Sequence, residues 1–258
     1  MKICPTCGAR LSGKATSCSR CGAMQPQTSG GPRESAMVGE KKFLQLPKET
    51  SGPEMSARAY NLTIGGLLLY GFAICAILCF FFTAQISMLN PIAVFIGFLV
   101  CGLIGIVVAN ISNSAGVRFI GFNLLVVPSG IFLAGCLSTY YFETVVYALV
   151  GTALIAAIMI LCACIRPQWF DALGPVLSIS LVSVIVVEFS LRIFFGRSST
   201  FIDLAVVIIM AAFIGFDFLQ ANQARRTLCN AVTFALELYL DGVNIFVRLL
   251  KILSRSQN

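Results

Sequence analysis

The order of apolar and polar residues divides the chain into a polar N-terminal region and a long apolar region. From residue 60 onward, apolar runs of about twenty residues recur, which is the length that an α-helix needs to cross a membrane core of about 30 Å. Short polar stretches separate the runs, and the pattern predicts an all-α membrane protein with a seven-transmembrane-helix bundle over residues 60–258. The predicted spans are Leu62–Ile86, Pro91–Ile111, Phe119–Tyr140, Val145–Ile165, Leu173–Phe195, Phe201–Gln220 and Leu228–Leu253.

The last predicted span is the least hydrophobic, and it carries a row of polar residues. Glu237, Asp241, Asn244 and Arg248 follow one another at intervals of three or four residues, so a helix places them on one broad face. A charge at the bilayer centre costs roughly 3 kcal/mol or more, and this face therefore does not point to lipid. We expect the C-terminal helix to lie at the centre of the bundle; a re-entrant or partial span is the alternative.

The first 22 residues contain two Cys-x-x-Cys pairs separated by ten residues. Two such pairs offer four thiolates to one tetrahedral ion, which predicts a structural zinc ribbon over residues 1–22 with Zn²⁺ as its cofactor. A disulfide or redox role is the alternative. The predicted zinc ligands are Cys4, Cys7, Cys18 and Cys21. The other seven cysteines lie in apolar segments, and we interpret them as small buried side chains.

Residues 23–59 are rich in Gly, Pro, Ser, Gln, Lys and Glu and show almost no apolar periodicity. Such a composition cannot bury enough apolar surface to fold, and it predicts a flexible, disordered linker between the ribbon and the bundle.

Composition and charge fit an integral membrane protein. Apolar residues make up 58% of the chain and charged residues 11%, against about 25% charged residues in soluble domains. The net charge is +7, but nine of the eighteen Lys and Arg residues precede residue 60. This distribution favours a cytoplasmic N-terminus next to anionic lipid, and we expect no nucleic-acid partner. No apolar signal segment precedes the ribbon, so we expect the ribbon to lie in a reducing cytosol. The absence of an organellar signal favours a bacterial plasma membrane; an endoplasmic-reticulum membrane is the alternative.

The charged residues inside the apolar region narrow the chemistry. The chain has no histidine, which excludes histidine acid–base catalysis and histidine metal ligands. Glu188 and Arg192 are four residues apart in the fifth span, and we expect them to pair with each other. Asp203 begins the sixth span and suits a helix N-terminus.

Asp217 lies in the sixth span, 24 residues before Asp241, and Cys229 at the turn between the two spans is their midpoint. Residues equidistant from the turn of an antiparallel helical hairpin meet at the same depth, so Asp217 and Asp241 are expected to be neighbours. Two carboxylates in low dielectric cannot both ionise cheaply, and we expect the pair to share a proton. The alternative is two independently capped acids, one of them bonded to Gln220 or Asn244.

The oxygen atoms of this region also suit a hard cation such as calcium, which binds carboxylate and amide oxygens. Asp217 and Asp241 are the central candidates for a pH-sensing ion pathway, and Glu237 and Asn244 lie one turn to either side of Asp241.

Two motifs carry a family resemblance. Phe216-Asp217 closes the sixth span, and Leu238-Tyr-Leu-Asp241-x-x-Asn244-x-Phe246 lies in the seventh. With the seven-span pattern, they make residues 60 to 253 similar to the Bax inhibitor-1 family. The resemblance implies a seven-helix bundle with its last helix at the centre. It also implies a pH-sensitive calcium leak controlled by an aspartate pair, Asp217 and Asp241 in this chain.

The sequence departs from this family at three places. Bacterial members carry an arginine cluster near the end of the second span, whereas Ile111–Ala115 has no cation and the next one is Arg118. Glu237 adds an acid where relatives often have a small or neutral residue, and the ribbon is an addition to the family's core.

Two other classes of function are alternatives to the leak. A non-transporting membrane adaptor would recruit a cytosolic protein partner through the ribbon; removing residues 1–59 would abolish an adaptor and spare a leak. An intramembrane aspartyl protease also needs two membrane aspartates, but the Gly-x-Gly-Asp and Pro-Ala-Leu motifs of those enzymes are missing, so we do not expect an enzyme.

Overall fold

The structure, a computed structural model, describes residues 2–3, 10–11, 52–195 and 200–256. Two short strands, β1 (Lys2–Ile3) and β2 (Arg10–Leu11), pair in an antiparallel manner and flank the first Cys-x-x-Cys pair in the sequence. The predicted zinc ligands and residues 23–51 of the predicted linker lie outside the described residues. The zinc ribbon therefore stays a prediction.

The rest of the described chain is helical. The helices are α1 (Ala57–Phe81), α2 (Thr83–Ile86), α3 (Pro91–Ile111), α4 (Ala115–Leu137), α5 (Phe142–Ile165), α6 (Pro167–Phe195), α7 (Thr200–Gln223) and α8 (Leu228–Ser256).

Local capping chemistry explains why α3 has the bounds that the sequence predicts. The Asn90 side-chain oxygen accepts a hydrogen bond from the Ile92 backbone N–H at 2.9 Å, and Pro91 occupies the first helical position. Both features favour a helix start. The first predicted span is instead divided, because α1 ends at Phe81 and the short helix α2 follows.

Five helices are long and apolar enough to cross a membrane by length and composition: α1, α3, α4, α5 and α7. Helix α6 bends by 57° between Pro167–Gly174 and Val176–Glu188, and it makes a sixth span if the two parts are counted together. The bend falls at Pro175, where a proline removes a backbone donor and breaks the helical ladder. Among the described residues, the fold is thus all-α with five or six candidate spans rather than the expected seven.

Helix α8 occupies the centre of this bundle, in agreement with the expectation from its polar face. It packs against α1, α3, α4, α5 and α7. Its Ala231, Ala235, Tyr239, Ile245 and Leu250 side chains are completely or almost completely buried. The outer helices expose many large apolar side chains, as helices in contact with lipid do.

Helices α3 and α4 approach each other closely at Gly105 and Gly121. A Cβ atom on Gly105 would lie 2.5 Å from the Gly121 carbonyl oxygen, and a Cβ atom on Gly121 would lie 2.6 Å from the Gly105 carbonyl oxygen. Small residues let membrane helices approach in this way. Neither position has room for a side chain.

The interpretation of all seven cysteines in the apolar region as buried is wrong for two of them. Cys75 and Cys229 are buried, whereas Cys162 and Cys164 at the end of α5 are exposed on the bundle surface. A thiol is apolar enough to face lipid, so helix amphipathicity does not force it inward.

Candidate functional site

Polar side chains line one face of the central helix α8 over almost its whole length, at intervals of three or four residues. All of them except Arg255 are buried or half-buried. This polar face of α8 consists of Asn230, Thr233, Glu237, Asp241, Asn244, Arg248, Lys251 and Arg255.

The structure brings Asp217 of α7 and Asp241 of α8 together. Their carboxyl groups are close enough to interact with each other, although the turn between the two helices lies at residues 224–227 and Cys229 is the second residue of α8. Asp241 is 7% exposed, and its Oδ2 atom has no hydrogen-bond partner among the described residues. An ionised carboxylate accepts but does not donate, so a hydrogen bond between two carboxyl groups requires one of them to carry a proton.

Glu237 and Asn244 extend this site along α8. Glu237 is half-buried and close enough to act electrostatically on both aspartates. The buried Tyr60 hydroxyl of α1 lies within the electrostatic range of Glu237 and has no hydrogen-bond partner among the described residues. The Asn244 side-chain nitrogen donates to the Leu240 carbonyl at 2.9 Å, which orients its amide group on the polar face.

Helix α6 packs on α7 at the two residues that precede Asp217. The Phe170 ring packs directly on Gly215, two residues before Asp217, so closely that a Cβ atom at that position would overlap the ring. One turn along α6, a Cβ atom on Gly174 would lie 2.8 Å from the Phe216 ring. These two ring-on-glycine contacts hold the first part of α6 against α7.

A cluster of four charged side chains lies at the end of the bundle where α8 ends. Arg248 donates through Nη1 to Glu188 Oε1 (2.9 Å) and Asp203 Oδ1 (2.7 Å), and through Nη2 to Glu188 Oε2 (2.6 Å). Arg255 donates to Asp203 Oδ2 at 2.9 Å and to the Thr200 hydroxyl at 3.2 Å. We call Glu188, Asp203, Arg248 and Arg255 the Arg248 cluster; it joins α6, α7 and α8.

The Arg248 cluster contains contacts that the sequence did not predict for the end of the bundle where α8 ends. Glu188 was expected to pair with Arg192, whose side chain lies outside the described residues. Both carboxylate oxygens of Glu188 accept hydrogen bonds from Arg248 on a different helix. Asp203 does lie in the first turn of α7, and it also binds two arginines. Asp203 and Arg255 are equidistant in sequence from Cys229, as Asp217 and Asp241 are, so the two pairs share one register between α7 and α8.

Arg118 is the cation that the sequence places after the second predicted span. Its side chain lies against the polar face of α8, near the start of that helix. It is 1% exposed. Its Nε atom donates to the Ser112 carbonyl at 2.7 Å, and its Nη1 atom donates to the Thr233 hydroxyl at 2.8 Å and to the Cys229 carbonyl at 3.2 Å. This guanidinium therefore fastens the start of α4 to the first turns of α8.

A chain of hydroxyl and thiol groups lies on the opposite side of α8. The Tyr239 hydroxyl is 2.7 Å from Ser129 Oγ on α4 and 2.8 Å from Cys75 Sγ on α1, and Ser129 Oγ donates to the Val126 carbonyl at 2.8 Å. Since the Ser129 proton is directed to Val126, Tyr239 donates to Ser129. This chain fixes the rotation of α8 and so helps to direct Asp241 toward α7.

No group of three or more Cys, Asp or Glu side chains arranged to hold a metal ion occurs among residues 52–195 and 200–256. The four predicted zinc ligands are not among these residues.

A comparison with known protein families gives a match for the helical region. Residues 53–258 match the model of the family described as "Inhibitor of apoptosis-promoting Bax1". No curated protein and no solved structure gives a significant match. The match covers the whole helical part of the chain, from before α1 to the end. The chain is thus a member of the Bax inhibitor-1 family of membrane proteins, with a Cys-x-x-Cys-containing region in front of the family domain.

Proposed function

We propose that this protein is a pH-sensitive calcium leak whose pathway follows the polar face of α8. The observation that carries the proposal is the contact between the Asp217 and Asp241 carboxyl groups on neighbouring helices. Calcium is the transported ion, and the carboxylate oxygens together with Glu237 and Asn244 supply the hard oxygen ligands that it prefers. In this proposal α8 lines the pathway and acts as the seventh membrane helix.

Protonation of the aspartate pair sets the state of the bundle. At low pH one shared proton joins the two carboxyls, and this hydrogen bond holds α7 and α8 together. At higher pH the proton leaves, and two negative charges roughly 5 Å apart repel each other by about 3 kcal/mol at an effective dielectric constant of about 20. That energy shifts a closed–open equilibrium by about a hundredfold, so the flux should rise with pH.

Calcium flux into proteoliposomes at pH 6 and pH 8 tests the proposal. The unmodified chain should give a flux at pH 8 roughly tenfold above that at pH 6, since part of the repulsion is relieved by movement of the helices. Asp217→Asn and Asp241→Asn keep the side-chain shape but remove the repulsion, so each should lower the flux at pH 8 to the level at pH 6.

Asp171→Asn is the matched control. Asp171 is exposed on α6, accepts a hydrogen bond from Gln223 at 3.2 Å, and lies outside the aspartate pair. Its variant should keep the full pH response. An unchanged ratio of the two fluxes in Asp217→Asn and Asp241→Asn, with both proteins folded and inserted, would refute the proposal.

We also propose that residues 1–22 bind one structural Zn²⁺ through Cys4, Cys7, Cys18 and Cys21. The proposal rests on the spacing of the two cysteine pairs, which suits a tetrahedral four-thiolate site. The ribbon would be exposed to the cytosol, with the N-terminus on the cytoplasmic side of the membrane.

A further inference from the structure

The Arg248 cluster and the aspartate pair lie at different depths of the same helical hairpin. Asp203 precedes Asp217 by fourteen residues, and Arg255 follows Asp241 by fourteen residues. At 1.5 Å per residue this is about 21 Å, with Arg248 at about half that distance from Asp241. The cluster therefore stands between the aspartate pair and the end of the bundle where α8 ends.

Burial in the cluster is graded along this direction. The Asp203 side chain is 2% exposed, those of Arg248 and Glu188 are 16% and 17% exposed, and that of Arg255 is 34% exposed. Two guanidinium groups face two carboxylates, with Arg248 held by Glu188 from one side and Asp203 from the other. Charged hydrogen bonds of this two-pronged kind are strong and fix the geometry of both partners.

A cation that moves from Asp241 past Asn244 along the polar face of α8 next meets the Arg248 guanidinium. The positive charge of Arg248 repels it, and the carboxylates that would attract it already bind the two arginines. Passage requires Arg248 and Glu188 to separate. Glu188 lies in the part of α6 beyond the 57° bend, a part that continues to Phe195, so release of Arg248 requires this part to move while Phe170 stays packed on Gly215.

We infer that the Arg248 cluster is a second barrier of the ion pathway, which opens when Glu188 on the outer part of α6 releases Arg248. The inference rests on the proposed leak function, and it divides that function between two structures. The aspartate pair sets the pH response, and the Arg248 cluster sets how readily ions pass between the pair and the end of α8.

Glu188→Gln tests the inference because it keeps the size of the side chain and removes its charge. The calcium flux at pH 8 should rise at least about fivefold, the lower end of the range for coupling between sites. The ratio of the fluxes at pH 8 and pH 6 should stay unchanged, because the aspartates are intact. Glu143→Gln is the matched control, since Glu143 is an exposed acid in the first turn of α5 and its variant should leave the flux unchanged.

A second measurement does not depend on calcium transport. Met210 is a buried residue of α7, seven residues before Asp217 and seven after Asp203. In nanodiscs, a water-soluble thiol reagent should label Met210→Cys slowly, and adding Glu188→Gln should raise that rate at least about fivefold. Labelling of the native cysteines is subtracted by means of the same chain with Met210 intact.

These outcomes separate the inference from the proposed function. If Glu188→Gln speeds labelling but no calcium flux is found, the leak is refuted and the Arg248 cluster still closes access to Met210. If the flux depends on pH but Glu188→Gln changes neither labelling nor flux, the inference alone is overturned. If Glu188→Gln does not fold, Arg255→Gln replaces it, because Arg255 is the most exposed member and its loss frees Asp203 Oδ2. That variant should also speed labelling, and an unchanged rate would overturn the inference.

Discussion

Replacing Tyr239 by Phe removes the hydroxyl group at the centre of the chain that joins α8 to α1 and α4. The variant loses the hydrogen bond from Tyr239 to Ser129, and the average such bond between membrane helices contributes about 0.6 kcal/mol, with a maximum of about 1.7. No donor is left without an acceptor, because Ser129 still donates to Val126. We therefore expect the free energy of unfolding to fall by about 1 kcal/mol.

Replacing Ser129 by Ala should cost more, although it removes the same hydrogen bond. The buried Tyr239 hydroxyl then has only the weakly accepting Cys75 sulfur nearby among the described residues. A buried donor without a good acceptor costs about 1–3 kcal/mol, so we expect Ser129→Ala to destabilise the protein by about 2 kcal/mol. The free energy of unfolding of the double variant should fall by only about 1 kcal/mol, because no Tyr239 hydroxyl remains that would lack an acceptor.

The free energy of unfolding in a bilayer or bicelle, measured by steric trapping, distinguishes these values. Tyr147→Phe is the matched control, since Tyr147 is 61% exposed and should tolerate the change. A loss of stability for Tyr239→Phe as large as that for Ser129→Ala, or additive losses in the double variant, would contradict the assignment of Tyr239 as the donor to Ser129 and of Ser129 as the donor to Val126.

Two further predictions concern the α3–α4 contact and the N-terminal cysteines. Gly105→Ala should destabilise the bundle by about 1–3 kcal/mol, because its Cβ atom would lie 2.5 Å from the Gly121 carbonyl oxygen. Gly97→Ala on the same helix, with nothing within 4 Å of the new atom, should be neutral or stabilising by up to about 1 kcal/mol; equal effects in the same unfolding assay would contradict the close approach. Elemental analysis of the purified full chain should find about one zinc per chain, and Cys4→Ser should remove it. Cys162→Ser should leave the zinc content unchanged, and a metal-free parent chain would contradict the ribbon.

The sequence was sufficient for the features that depend on short stretches of chain. The bounds of α3 follow from Asn90, Pro91 and the length of the apolar run. The proximity of Asp217 and Asp241 was expected from a turn at Cys229, but Cys229 is the second residue of α8, and the two aspartates lie six residues before the end of α7 and thirteen residues after the start of α8. The central place of α8 follows from the charges that its polar face has to keep from lipid.

Features that depend on which helices are neighbours were beyond the sequence. Glu188 was expected to bind Arg192, its neighbour by helical spacing, and the Arg192 side chain lies outside the described residues. In the structure, the guanidinium of Arg248 on the central helix binds both oxygens of the half-buried Glu188 and one oxygen of the buried Asp203. No local pattern in the sequence predicts this contact among three helices. Arg118 shows the same limit, because all three acceptors that the structure assigns to it are uncharged groups that carry no sequence signature.

The central position of α8 also has a consequence for the order in which the protein is assembled. The Met55 backbone N–H donates to the Arg226 carbonyl at 2.7 Å, so the segment before α1 and the turn before α8 are joined directly. This hydrogen bond thus joins the two ends of the stretch of chain that contains α1 to α7, and α8 follows that stretch in the sequence. Of the described helices, the one that fills the middle of the bundle is made last. Until then the earlier helices lack their central partner, and a chain that stops before Leu228 lacks the surface against which five of them pack.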